Sequence, residues 1–157
     1  MRRVLQAVGL IALLVLVLGA TGFGYLAYRG SKLDHEAEAY STGAVAAITG
    51  HWQAAELQSR ASPALARSVS QDQLARMFGW FAGLGPLQDQ PVCHGTSSVF
   101  ASPSGTRISG SYRCTAHYQA GAGTVELALV KSGGVWLING FQVFSPALTP
   151  PKPLQKA

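Results

Sequence analysis

From Val4 to Tyr28 the chain carries no charged side chain, and Leu, Val, Ile and Ala fill most positions between Ala7 and Ala20. At about 1.5 Å of rise per residue, a helix of this length crosses the roughly 30 Å hydrocarbon core of a bilayer. The segment therefore predicts a transmembrane signal-anchor. Met1-Arg2-Arg3 precede it, Tyr25 and Tyr28 stand near its end where an interfacial belt belongs, and Arg29 follows. A cleavable signal peptide shares the basic start and apolar stretch, with Ala20-Thr21-Gly22 as a weak cleavage site. The apolar character continues past that site, which favours an anchor, and cleavage stays open. Lipoprotein processing needs a cysteine just after the apolar stretch, and the first is Cys93.

Beyond Arg29 the apolar positions take a helical period. Ser31-Lys32-Leu33-Asp34 has the form of a capping-box start, and Leu33, Ala37, Tyr40, Ala44 and Ile48 follow on one face, with Gly50 at the end. A short helix is expected from Trp52 to Arg60. Ser62-Pro63 offers an N-cap followed by proline at the first helical position. Ser70 with Gln73 starts a further helix, whose Leu74, Met77, Phe78 and Phe81 form a stripe before Gly83, Gly85 and Pro86 stop it. Stripes of this kind predict core, not a cofactor site.

After Pro86 the period becomes two. Between Thr106 and Gln119 the even positions include Ile108, Tyr112, Cys114, Ala116 and Tyr118, while the odd ones are polar. This pattern predicts a strand with one buried face. A two-residue turn at Pro103-Ser104 would pair Ser102 with Gly105 and, counting back along both strands, set Cys93 opposite Cys114. A non-hydrogen-bonded antiparallel pair, with Cα atoms about 4.5 Å apart, meets the short end of disulfide geometry. The competing reading is a metal site of Cys93, His94, Cys114 and His117. On strands, however, Cys93 and His94 point to opposite faces, as do Cys114 and His117, so four ligands do not converge. The expectation is a structural disulfide, with two buried free thiols as the alternative and neither metal nor cofactor called for.

A third strand, Thr124 to Lys131, places Val125, Leu127 and Leu129 on one face, and Ser132-Gly133-Gly134 turns it into a fourth, Val135 to Phe144. The fourth alternates poorly, which predicts burial on both sides and a place at the centre of the sheet or under the helices. Matching apolar faces across the second and third strands sets Tyr118 against Val125 and His117 opposite Glu126, with Arg113 along the same face. His117, Glu126 and Arg113 then form a polar sheet face carrying an exposed cross-strand charge pair. They do not form a catalytic dyad.

Charge narrows the function classes. The formal net charge is +5, but Arg2, Arg3 and Arg29 supply three of those charges. Residues 31–157 carry nine Lys or Arg against seven Asp or Glu, and no basic cluster is interleaved with aromatics, so nucleic acid is not an expected partner. Three regions result: residues 1–30 as a cytoplasmic tip and anchor, residues 31–145 as one exported α+β domain, and residues 146–157 as a Pro-rich disordered tail. The basic amino terminus favours a cytoplasmic start, hence a single-pass protein of the inner membrane with its domain on the outer, periplasmic side.

Helices followed by hairpin-linked antiparallel strands that close on Gly134-Val135-Trp136-Leu137-Ile138 and Gly140-Phe141-Gln142-Val143 resemble the cone-shaped, cystatin-like α+β fold. This is the fold of the nuclear-transport-factor-two-like and ketosteroid-isomerase-like superfamily, which includes small exported bacterial families. The resemblance covers about residues 33–145. It implies helices packed into a curved sheet of about four strands, with a pocket between them that enzymes of this fold use for acid-base chemistry on small hydrophobic substrates. Tyr112, Tyr118 and Trp136 are the candidate pocket residues, yet the inward face of the second strand carries no acid to do such chemistry.

Two readings of function remain. One is a tethered binding or assembly module without a catalytic residue, whose sheet meets a partner of the cell envelope. The alternative is a pocket for a small hydrophobic ligand or lipid, or an isomerase-like enzyme. A pilin-like subunit fits poorly, because the apolar run precedes Gly22-Phe23 instead of following it. The oligomeric state is open.

Overall fold

A computed structural model describes residues 30–148; the apolar segment 4–28 and residues 149–157 of the Pro-rich tail lie outside them. Among the described residues, no helix is long and apolar enough to cross a membrane.

Helix α1 occupies residues 30–50. Residue 30 is already helical, so the start expected at Ser31 does not occur there. The stripe behaves as read: Ala37, Ala44 and Ile48 are buried, and Leu33 and Tyr40 pack against the same core. Ser41 and Thr49 are also fully buried, each turning its hydroxyl back to a carbonyl of the preceding turn, those of Ala37 and Val45. Past Gly50 the chain reverses through Trp52, a non-glycine residue at φ 51°. The next helix, α2 (Ala54–Arg60), starts two residues later than expected for that reason. Helix α3 (Pro63–Ser68) takes its N-cap from Ser62, and α4 (Gln71–Phe81) has the full Ser70–Gln73 capping box. Leu74, Phe78 and Phe81 are buried, whereas Met77 lies at the side of the stripe and is exposed. A 3-10 turn, Ala82–Leu84, and Gly85 at φ 75° end the helical half.

Four strands, β1 (Val92–Ser102), β2 (Gly105–Tyr118), β3 (Gly121–Ser132) and β4 (Val135–Phe144), form one open antiparallel sheet in that order. Each hairpin turns in two residues. Gly133 and Gly134 both take positive φ, 57° and 81°, the conformation that a tight hairpin asks of its central residues.

The core lies between the helices and one sheet face, where Tyr112, Cys114, Ala116 and Tyr118 of β2 meet Val125, Leu127 and Leu129 of β3. Strand β4 lies against α2 and α3, as one of the two expected places has it, but it is neither central nor buried on both sides. It is an edge strand buried on one side, with Val135 and Phe144 more than half exposed. Its irregular pattern comes from a bulge: Leu129 pairs with Ile138 but Ala128 with Gly140, so Asn139 is an extra residue. The buried positions switch from Trp136 and Ile138 to Phe141 and Val143 across it, and both pairs stay in the core.

Candidate functional site

Among the described residues all helix-borne core residues lie on one side and the other sheet face is open, and the pairing places its side chains in rows. One row runs His94, Arg113, Glu126, Gln142; the next runs Thr96, Ser111, Ala128, Gly140. Here the structure corrects the expected register. The two-residue turn at Gln119-Ala120 pairs Tyr118 with Gly121, so Arg113, not His117, lies opposite Glu126. Apolar matching alone could not distinguish these two registers, which differ by four residues, because any even shift keeps the same faces inward. Arg113 donates from Nε and Nη2 to Glu126 Oε1 at 2.9 and 2.6 Å. His117 pairs with Ala122, and its Nδ1 is 3.7 Å from Asp89. All three residues of the predicted polar face thus lie on the open side, two of them joined. The small side chains of Thr96, Ser111 and Ala128 leave a shallow strip beside the ion pair, and Val92 and Phe144 add exposed apolar area at one end.

The inner-face candidates are buried. The Tyr112 ring lies over Gly95 and Gly110, where an added Cβ would come within 2.7–2.8 Å of it. Its hydroxyl shares a 2.9 Å hydrogen bond with Ser97 and donates to the Asp34 carbonyl at 3.3 Å. Burial raises the Tyr112 pKa above its ordinary value, the Ser97 bond opposes this, and the Asp34 charge adds to it. Tyr118 stacks beside Trp52, with ring centres 5.1 Å apart. Its pKa is raised mainly by burial, and the nearby Thr49 hydroxyl offsets only part. Thr49 donates to Val45, and among the described residues neither the Tyr118 hydroxyl nor Trp136 Nε1 has a hydrogen-bond partner. The Trp136 ring lies 5.3 Å from Lys131 Nζ, which is itself 2.6 Å from Glu36 Oε2. That contact holds the Glu36 carboxyl below its usual range.

An apolar cavity of about 260 Å³ opens elsewhere, among the helices, lined by Leu57, Leu65, Val69 and Leu74 with Gln58 and Gln71 as its polar groups. No titratable side chain lines it. Beneath β1 and β2 the predicted disulfide is formed, Cys93 to Cys114, with Cα atoms 3.9 Å apart and both residues buried. Among the described residues, no group of three His, Cys, Asp or Glu could hold a metal ion.

The capping-box motif predicts a capping role for Asp34. In the fold its Oδ1 accepts the backbone N–H of Ser97 at 2.7 Å, which closes part of the free edge of β1, and Glu38 approaches His94 Nδ1 at 3.6 Å. Only a register between α1 and β1 could have revealed this role, and the hydrophobic pattern does not contain it. No protein-family model, curated protein or solved structure matches the chain, so its function has to be read from this geometry.

Proposed function

We propose that the chain is a membrane-anchored module of the cell envelope that works by binding, held to the bilayer through residues 4–28, with the open sheet face as its contact surface for an envelope protein. The observation that carries this reading is the one-sided sheet. Helices cover one face, while the other presents a flat strip of small side chains beside the Arg113–Glu126 pair, with exposed Val92 and Phe144 at its end. Flat surfaces that mix polar and apolar area suit protein partners better than small substrates, which are taken by concave sites. The likeness to the nuclear-transport-factor-two-like fold is kept as part of this proposal: the four-stranded antiparallel sheet and its helices are compatible with it.

The ligand-pocket or isomerase-like alternative draws on the cavity among α2, α3 and α4. At about 260 Å³ it is smaller than most ligand sites, and it offers no acid or base to a substrate.

A photo-crosslinking residue at Ser111, in the middle of the strip, tests the proposal in native membranes against the same residue at Arg76 on the helical side. A discrete adduct from Ser111 that Arg113→Glu abolishes is the expected result. Equal adducts from both positions, or none from Ser111, would overturn the reading.

A further inference from the structure

The hairpin joining β1 and β2 projects past the core. On the core-facing side of β1, Cys93 is buried and Ser97 partly so, but Val99 is 56% exposed, and Phe100 on the other side is 70% exposed. Helix α1 and β1 run in opposite directions, because Asp34 meets Ser97 while Glu38 meets His94. From Ser97 to the hairpin end at Ser102 the strand advances about 17 Å at about 3.3 Å per residue. From Asp34 back to Gly30 the helix covers only about 6 Å. The hairpin end therefore reaches about 10 Å beyond Gly30, in the direction from which the amino-terminal segment joins the domain.

Tyr28, the last residue of the uncharged run, is two residues from Gly30, at most about 7 Å away. The polar layer of a bilayer that ends near Tyr28 would thus be within reach of the hairpin end. The charges there match an anionic surface. Arg107 pairs with Phe100 across the hairpin and lines, with Arg67 of α3 and Lys131, a cleft of about 510 Å³. Glu36 pairs with Lys131, while Arg67 and Arg107 have no carboxylate at ion-pair distance among the described residues. Aromatic and basic side chains side by side are what an interfacial layer of anionic lipid accommodates.

We propose that the β1–β2 hairpin end rests in the interfacial layer of the bilayer, with Phe100 and Val99 among the headgroups and Arg107 and Arg67 on anionic lipid. The proposal rests on the anchor reading above. It adds a second attachment, which would fix the orientation of the domain and present the open sheet face sideways along the membrane.

The test uses the full chain in vesicles of phosphatidylcholine and phosphatidylglycerol whose acyl chains are brominated near the headgroup. Phe100→Trp is compared with Ala120→Trp at the opposite end of the sheet, each against the signal of the native tryptophans. The expected result is loss of the F100W fluorescence but not that of A120W, with Arg67→Glu and Arg107→Glu together abolishing the part that depends on phosphatidylglycerol. An unquenched F100W in a chain that resists alkaline carbonate extraction would overturn the second attachment and leave the anchor standing. An F100W shielded from aqueous iodide yet untouched by brominated lipid would place a second copy of the chain over the hairpin end and overturn it as well. Release of the chain by carbonate would overturn the anchor and this inference together.

Discussion

The Ser62 hydroxyl donates to Asn139 Oδ1 at 2.7 Å, joining the α2–α3 connection to the bulge of β4 across 77 positions of sequence. The Ser62 N–H donates to the Ile138 carbonyl at 2.7 Å, and the Ser62 oxygen accepts the Leu65 N–H that begins α3. One buried side chain thus caps a helix and covers part of an exposed strand edge.

Ser62→Ala is expected to cost about 2 kcal/mol, because the helix cap and the hydrogen bond to Asn139 are lost together. Asn139→Ala, which removes one bond and leaves the cap, is expected to cost about 1 kcal/mol. Urea unfolding midpoints of the two variants check the order; equal midpoints would show that the cap contributes nothing. Deleting Asn139 should be worse than either, since the strand beyond the bulge would then present its apolar side to water.

These contacts mark the limit of what the sequence discloses. Ser62-Pro63 and Ser70 with Gln73 are local signals, and both helices begin where they indicate. The Cys93–Cys114 pairing was also legible, because a two-residue turn fixes every pair in its hairpin. The bulge was not. Its trace was the broken alternation of Val135–Phe144, and an uneven apolar pattern fits a strand buried on both faces as well as one whose sidedness switches at an extra residue. The β2–β3 register failed for a related reason. Side-chain alternation determines which residues share a face, while the turn at Gln119-Ala120 determines which of them meet.

The disulfide makes stability depend on redox conditions. Cys93 and Cys114 are 21 residues apart, and closing a loop of that length restricts the unfolded chain by about 3 kcal/mol in the chain-entropy account. Cys114→Ser should lower the unfolding midpoint accordingly under oxidising conditions, and wild type treated with reductant should approach the variant. Identical melting of oxidised wild type and C114S would rule out a structural contribution from the bond.

Trp52 combines a backbone cost with side-chain gains. A non-glycine residue in the left-handed region costs about 1 kcal/mol, yet Trp52 Nε1 donates to the Gly85 carbonyl at 2.7 Å and its ring contacts Phe78, Phe81 and Tyr118. Trp52→Phe keeps most of the ring contact and leaves the carbonyl without this donor, an expected loss of about 1–2 kcal/mol. Trp52→Gly relieves the backbone but empties the aromatic cluster, an expected net loss of about 2–4 kcal/mol. Thermal unfolding of both variants would separate the terms, and a W52G more stable than W52F would show that the backbone cost dominates.

Tyr112 and Tyr118 should respond in opposite ways to loss of their hydroxyls. Tyr112 is hydrogen-bonded to Ser97, so Tyr112→Phe is expected to destabilise by about 1 kcal/mol. The Tyr118 hydroxyl is buried without a hydrogen-bond partner among the described residues, so Tyr118→Phe should be neutral or slightly stabilising at pH 7. Both tyrosines have pKa values raised in the folded state, chiefly by burial. The unfolded chain ionises them near pH 10 while the folded chain still holds the protons, so their contribution is complete below about pH 10 and is lost as the pH rises through the folded values. Urea titrations at pH 9 and pH 11 should therefore show a fall in stability for wild type and a smaller fall for Y118F. An equal fall in both would mean that Tyr118 ionises without unfolding, as a hydroxyl open to water would.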